Sequence, residues 1–314
     1  MKKFLAIILV VILALTAVAC SGSKGGKLTF TTGGEQGTYY GFGTVLAGKI
    51  SDKTDTTVTA IVGKGSKANI EVMGRKDAQL GLVQSDVAAY AYQGTRLFEK
   101  ADTSFSTVAA LYMEQVQVVT LNPDIKSVAD LKGKTVSIGE PGSGVYFNAI
   151  DVLGAYGLSE SDINATLQGF GDSVEALQDG KIDAAFVVAG APTTAVTSLS
   201  ATKQVYLVSL DDEHINKLIA ESPYYSKNII MKDVYGTPED VTTVAVMAVV
   251  IARNDASEDD VYNFISTVFN NIDEIKAAHA KGGELDLKFA ASYGSVPYHP
   301  GAAKYFKEKG ITVK

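Results

Sequence analysis

The sequence predicts an α/β protein of two similar lobes with a cleft between them. Three observations carry this. From Lys27 onward the chain alternates strand-like and helix-like stretches as βαβαβ, the pattern of helices laid over a mostly parallel sheet. A second series of the same kind follows Leu121-Asn122-Pro123-Asp124. The chain also carries one kind of loop twice, GEQGTYY from Gly34 to Tyr40 and GEPGSGVYF from Gly139 to Phe147.

The first series opens with KLTFT, residues 27–31, as a strand. TGGEQGTYY is a loop that opens a helix. Phe42, Val45, Leu46 and Ile50 continue that helix near helical spacing. TTVTAIVG from Thr56 is rich in β-branched residues and reads as a second strand. KGSKANIEVM begins another helix, AQLGLVQS from Ala78 is a buried-type strand, and DVAAYAYQG is a helix. In the second series SVADLKG is a short helix, with Ser127 as N-cap and Gly133 as stop. KTVSIG is a strand, followed by the GEPGSG loop and a helix running through Val152 to Tyr156.

SVEALQDGKIDAAFVVAG then echoes NIEVMGRKDAQLGLVQSD, each running helix, turn, apolar strand and small or polar residues. Near the C-terminus, ASEDDVYNFISTVFNNIDEIKAAH reads as one long amphipathic helix. Val261, Phe264, Ile265, Val268, Phe269, Ile272 and Ile275 share its apolar face, and Ser257 and Asp260 form a capping-box-like start.

The 314-residue length suits about two domains, and 46% hydrophobic with 20% charged residues is a globular composition. Lys2 and Lys3 precede an apolar run from Phe4 to Cys20, shorter than the roughly 20 residues of a spanning helix. This describes a secretory signal over residues 1–19. Ala17-Val18-Ala19-Cys20 is similar to a bacterial lipobox, so Cys20 is the expected lipidation site; an ordinary signal peptide cut nearby is the alternative. SGSKGG follows as a flexible leash, residues 20–26 being the lipidated Cys and linker. The single Cys excludes an intramolecular disulfide, so the core must hold the fold. The formal net charge of −7 argues against a nucleic-acid surface. It leaves room for an anionic small ligand at a local site.

A loop after a parallel strand that opens a helix exposes free N–H groups at the positive end of the helix dipole. Such a place binds carboxylate or phosphate without a cationic side chain. Two of them in echoing lobes suggest an anion clamp. Enzyme signatures are missing: neither loop fits G-x-G-x-x-G, GKGSKAN is not a Walker A loop, and Ser143 lacks G-x-S-x-G. His214, His279 and His299 have no ligand-like spacing and are expected at the surface, with no metal and no cofactor.

TGGEQGTYYGFG, GSKANIEVMGRKDAQLGLVQSDVAAYAYQG, AALYMEQVQVV, SVADLKGKTVSIGEPGSG, ALQDGKIDAAFVVAGAPTTAV and YHPGAAKYFKEKG occur in order over nearly the whole chain. Together they resemble the extracytoplasmic solute receptors of tripartite ATP-independent periplasmic (TRAP) transporters, of the TAXI type. EQVQVV departs from the family's frequent Glu-Pro-Val, and the Glu of GEPGSG stands where Ala is frequent. The resemblance implies a type II periplasmic-binding-protein fold with ligand in the cleft. It places lobe 1 at 27–116 plus 248–314 and lobe 2 at 117–247, with crossings near Glu114 to Leu121 and Thr243 to Ile251.

The resemblance also implies a non-enzymatic, monomeric receptor outside the cytoplasmic membrane, lipid-anchored. It would deliver a small organic anion, glutamate or a related amino acid or dicarboxylate, to a membrane permease with fused small and large components. A ligand-sensing lipoprotein for a signalling receptor, or an enzyme on the same scaffold, stand as alternatives. On this framework Gly37, Thr38, Tyr39 and Tyr40 line one wall, and Lys64, Gly65, Ser66 and Asn69 the next helix start. Lys64 pairs with a ligand carboxylate or is a solvated loop lysine. Gln84 and Ser85 face the cleft or cap a helix. Pro141, Ser143, Gly144 and Val145 form the opposite wall, and the stretch from Ala189 to Pro192 its second loop. Glu114 meets a ligand ammonium group or makes a hinge hydrogen bond.

Overall fold

The computed structural model describes residues 25–314. The expected signal segment and Cys20 lie outside the described residues, among which no helix is long and apolar enough to cross a membrane. The first series forms β1 (Lys27–Thr31), α1 (Thr38–Lys53), β2 (Thr57–Ile61), α2 (Ser66–Gly74), β3 (Leu80–Gln84) and α3 (Ser85–Gln93). A long strand, β4 (Phe105–Thr120), follows. The second series is β5 (Thr135–Ser137), α4 (Val145–Ala155), β6 (Asn164–Thr166), α5 (Phe170–Gln178) and β7 (Ala184–Ala189). After it come α6 (Thr194–Ser200), β8 (Tyr206–Leu207), α7 (Asp212–Glu221) and β9 (Ser226–Ile230). A second long strand, β10 (Val241–Arg253), leads into α8 (Glu258–Asn270), α9 (Ile272–Ala278), α10 (Leu287–Ala290) and α11 (Pro300–Glu308).

The strands join in the order β2-β1-β3-β10-β4-β7-β5-β6. Read from each edge inward, this is the same arrangement twice: β2-β1-β3-β10 and β6-β5-β7-β4. In both halves the three outer strands are parallel and the long inner strand is antiparallel to them. The echo in the sequence is thus an echo in topology. The two long strands pair with each other from Ala245↔Gln115 to Arg253↔Phe105, with two register shifts.

Apolar packing changes partners along these long strands. On β4, Val108, Leu111 and Tyr112 belong to a core with Phe30, Phe42, Leu46 and Phe264. Val116 and Val118 belong to another with Val136, Val152 and Phe186. On β10 the change falls between Val246 and Ala248. Glu114 sits at this seam, paired in register with Val246.

Several expectations need correction. The long C-terminal helix is two helices, α8 and α9, broken at Asn271, whose φ and ψ of −128° and 32° leave the helical range. The Asn271 amide donates to the Thr267 carbonyl, competing with helix continuation. Ser257 does cap α8, accepting from the Asp260 N–H. Asp260 does not return the bond; its carboxylate accepts from Gly26 N and from Thr56 Oγ1, at 2.8 and 2.6 Å. His299 is buried rather than on the surface, and its Nδ1 caps α11 by accepting from Gly301 N. Among the described residues no group of His, Cys, Asp and Glu could hold a metal ion.

Candidate functional site

Four helices begin at the junction of the two halves, and each begins at a glycine. The N-cap residues of α1, α2, α4 and α5 are Gly37, Gly65, Gly144 and Gly169, none with a side-chain cap bond. No side chain therefore caps their first-turn N–H groups, although in α4 the Phe147 N–H turns back to the Gly144 carbonyl. All four glycines line one cavity of about 370 Å³. Two are forced by crowding. Gly65 has φ +93°, and a Cβ there would lie 3.1 Å from the Ser143 Cα. A Cβ on Gly144 would fall 1.4 Å from Gln84 Oε1. Only glycine lets these backbones approach so closely.

Twelve of the expected residues line this cavity. Gly37, Thr38, Tyr39, Lys64, Gly65 and Ser66 come from one half with Gln84 and Glu114; Ser143, Gly144, Val145 and Ala189 come from the other. Five do not. Tyr40 stays on α1, half-buried and outside the wall. Asn69 is buried and structural: its amide donates to the carbonyls of Thr32 and Leu82, while Oδ1 accepts from Thr31 Oγ1. Ser85 Oγ accepts from Met247 N, and its carbonyl accepts from Tyr293 OH. Pro141 is exposed on its loop, and Pro192 is exposed after a cis bond to Ala191.

The two halves touch around the cavity. Ala68 N donates to the Gly142 carbonyl, Ala195 N to the Gln36 carbonyl, and Thr38 Oγ1 to the Gly190 carbonyl. The Thr38 hydroxyl is thus spent on the opposite half. Beside the cavity, Gln84 Nε2 donates to Asn148 Oδ1. Asn148 Nδ2 in turn donates to Asp86 Oδ2 and Tyr225 OH. Tyr225 OH then donates to Asp151 Oδ2, and Asp151 Oδ1 pairs with Arg96 at 2.6 Å. Burial pushes Asp86 up to about 7.

Three polar atoms at the wall have no hydrogen-bond partner within the protein: Glu114 Oε1, Gln84 Oε1 and Ser143 Oγ. Their residues are 1%, 2% and 6% exposed. Glu114 Oε2 accepts from Tyr39 OH at 3.1 Å. Burial first, then the charge of Asp86, holds the Glu114 carboxyl well above the usual carboxylate range, although Tyr39, Lys281 and Gln84 oppose the shift. Lys64 is exposed at the rim and makes no ion pair among the described residues. Burial raises Glu140, and nearby Lys64 works against that rise.

A model of the NMT1-like family matches residues 30–310. The chain belongs to the NMT1-like family. Solved structures show the fold of this NMT1-like chain to be that of periplasmic solute-binding proteins, two-lobed like its neighbours. MatC from Rhodopseudomonas palustris with bound malate matches with TM-score 0.58 at 14% identity, over 82% of this chain and 89% of that one. The GluR0 ligand-binding core from Nostoc punctiforme in complex with L-glutamate matches with TM-score 0.51 at 16% identity, over 82% and 98%. The alkanesulfonate-binding protein SsuA from Xanthomonas axonopodis pv. citri, bound to MOPS, matches with TM-score 0.51 at 13% identity, over 92% and 94%.

Sequence reasoning missed part of the wall of this NMT1-like cleft. Gln168, Gly169, Phe170, Gly171 and Asp172 line it, as do Glu35, Gln36, Val62, Glu140 and Val188. The echo already contained the first group: Gly169 stands before Val174 as Gly65 stands before Ile70, so both series start this helix on glycine. Lys281 was missed as well. It is buried, its Nζ lies 5.4 Å from the Tyr112 ring centre, and it pairs with Glu284. Nothing in its local sequence sets it apart from a surface lysine.

Proposed function

We propose that this chain is the extracytoplasmic solute receptor of a TRAP transporter of the TAXI type. It captures a small organic anion, glutamate or a related amino acid or dicarboxylate, without catalysis. The observation that carries this reading is the convergence of four glycine-capped helix starts on one cavity between two halves. Helix ends of this kind favour a carboxylate by their free N–H groups and dipoles. The cavity is small, within the usual range for a metabolite-sized ligand.

Residues 27–116 plus 248–314 and residues 117–247 act as the two lobes, hinged where β4 and β10 cross. The separate cores on either side of Glu114 support this division. The receptor works as a monomer, tethered by lipid on Cys20, and hands its ligand to a membrane permease with fused components. The Ala17-Val18-Ala19-Cys20 stretch and the SGSKGG leash after it support the tether.

Mass spectrometry of ligand carried through purification, followed by calorimetry with the compound found, tests the reading. A bound small carboxylate with micromolar or tighter affinity supports it. A protein that holds no carboxylate and responds to none in a thermal-shift panel of amino acids, oxo acids and dicarboxylates would sink it.

A further inference from the structure

We infer that the solute is an α-amino acid: its carboxylate lies at the glycine-capped helix starts and its ammonium group is received by Glu114. The inference rests on the cavity being the solute site, and it chooses between the two ligand classes left open above.

The charges of the wall point this way. The cavity is lined by four acids, Glu35, Glu114, Glu140 and Asp172, against one cation, Lys64. A dicarboxylate would carry two negative ends into that set, with helix starts and one rim lysine to meet them. An α-amino acid brings one negative end and one positive end. The helix starts suit the first, and the acids suit the second.

The unpartnered atoms locate the positive end. A buried carboxylate with a free oxygen is costly unless it is paired or protonated. Glu114 spends one oxygen on Tyr39 OH, and its Oε1 has no partner. Gln84, close enough to act on that carboxyl, has its amide nitrogen committed to Asn148 and its oxygen unpartnered. Two free acceptors on one wall and a free hydroxyl, Ser143 Oγ, on the facing wall of the same cavity match an ammonium group, which has three donors and no acceptor.

Lys281 does not occupy this role, because its Nζ is held by Glu284. The groups that act on Glu114 are Tyr39 and Gln84 by hydrogen bonding and Asp86 and Lys281 through their charges, while the buried Tyr112 hydroxyl lies within reach of the acid's field. With burial dominant, the ligand-free carboxyl keeps its proton well above the normal range. An arriving ammonium group drives that proton off. A second ligand carboxylate would instead keep it on.

The test is calorimetry on the full-length chain with L-amino acids, their 2-oxo counterparts and the dicarboxylates malate, succinate and glutarate, in two buffers of different ionisation heat. The expected result is binding of an amino acid, at least about 30-fold weaker binding of its 2-oxo counterpart, and proton release on binding. Glu114→Gln keeps the shape and should abolish the proton release while weakening the amino acid by about the same factor. Circular dichroism and a single cooperative melting transition confirm that the variant folds. Binding of a 2-oxo acid or dicarboxylate as tightly as any amino acid overturns the inference but leaves the cavity as a solute site. Amino-acid binding without proton release, or unaltered in Glu114→Gln, overturns it too, as does a panel in which no amino acid binds.

Discussion

The backbone N–H of Ala68 donates to the carbonyl of Gly142 at 2.9 Å. It joins the first turn of one glycine-capped helix to the glycine-rich loop of the other half. A donor that a helix end leaves over is here satisfied by the opposite wall, so this bond exists only while the two walls meet.

Crowding at the same seam gives the first prediction. Gly144→Ala places a methyl group on the Gln84 amide. Overpacking of this kind costs about 1–3 kcal/mol. The expected outcome is ligand affinity reduced by about tenfold or more and a larger radius of gyration with saturating ligand. Small-angle scattering identical to the parent's would show that the seam does not govern closure.

Asn148 ties Gln84 on one side to Asp86 and Tyr225 on the other and is fully buried. Asn148→Ala strands those partners, at a cost of about 3 kcal/mol. Urea unfolding should show a lower midpoint at unchanged slope. A variant as stable as the parent would mean that the partners find one another without it.

Asp86 makes stability depend on pH. Burial raises its folded pKa from 3.8 to about 7, so between these values the folded protein holds a proton that the unfolded chain has lost. Its contribution is present below about pH 4 and fades as pH rises through about 7, a change on the order of a few kcal/mol. Glu114 shifts the same way, so the comparison must isolate one group. Between pH 5 and pH 8 the parent should lose more unfolding free energy than Asp86→Asn, which has no proton to lose. Parallel profiles would remove Asp86 as a source.

Ser143→Ala and Lys64→Ala separate two contributions to the ligand. Ser143 Oγ is buried and unpartnered, so its loss should weaken binding by about tenfold at any salt concentration. Lys64 is exposed, so its loss should weaken binding several-fold and only at low ionic strength. Titrations at two salt concentrations check both.

Periodicity and glycine placement made much of this legible. The β-branched strands and the Phe42, Leu46, Ile50 spacing gave the first half, and the echo of NIEVM in SVEAL gave the second. Both recur because strand and helix periods are local properties of the chain. The failures were tertiary. Asn69 and Ser85 are polar at helix starts, as binding residues are, yet their partners are carbonyls and amides brought in from other strands. Lys281 reaches the site region from far along the chain, and no local pattern reports such a meeting. Asp260 was placed correctly at its helix start but given the wrong partner, because Thr56 and Gly26 become its neighbours only in the fold.

That last contact has a mechanical consequence. Asp260 holds Gly26 at the amino end of β1, whereas Gly33 and Gly34, past its carboxyl end, form part of the cavity wall. The chain therefore enters the body at the opposite end of β1 from the cavity, held there by the α8 start and the β2 edge. The amino end of the body is thus fastened within one half, on the far side from the seam that lines the cavity.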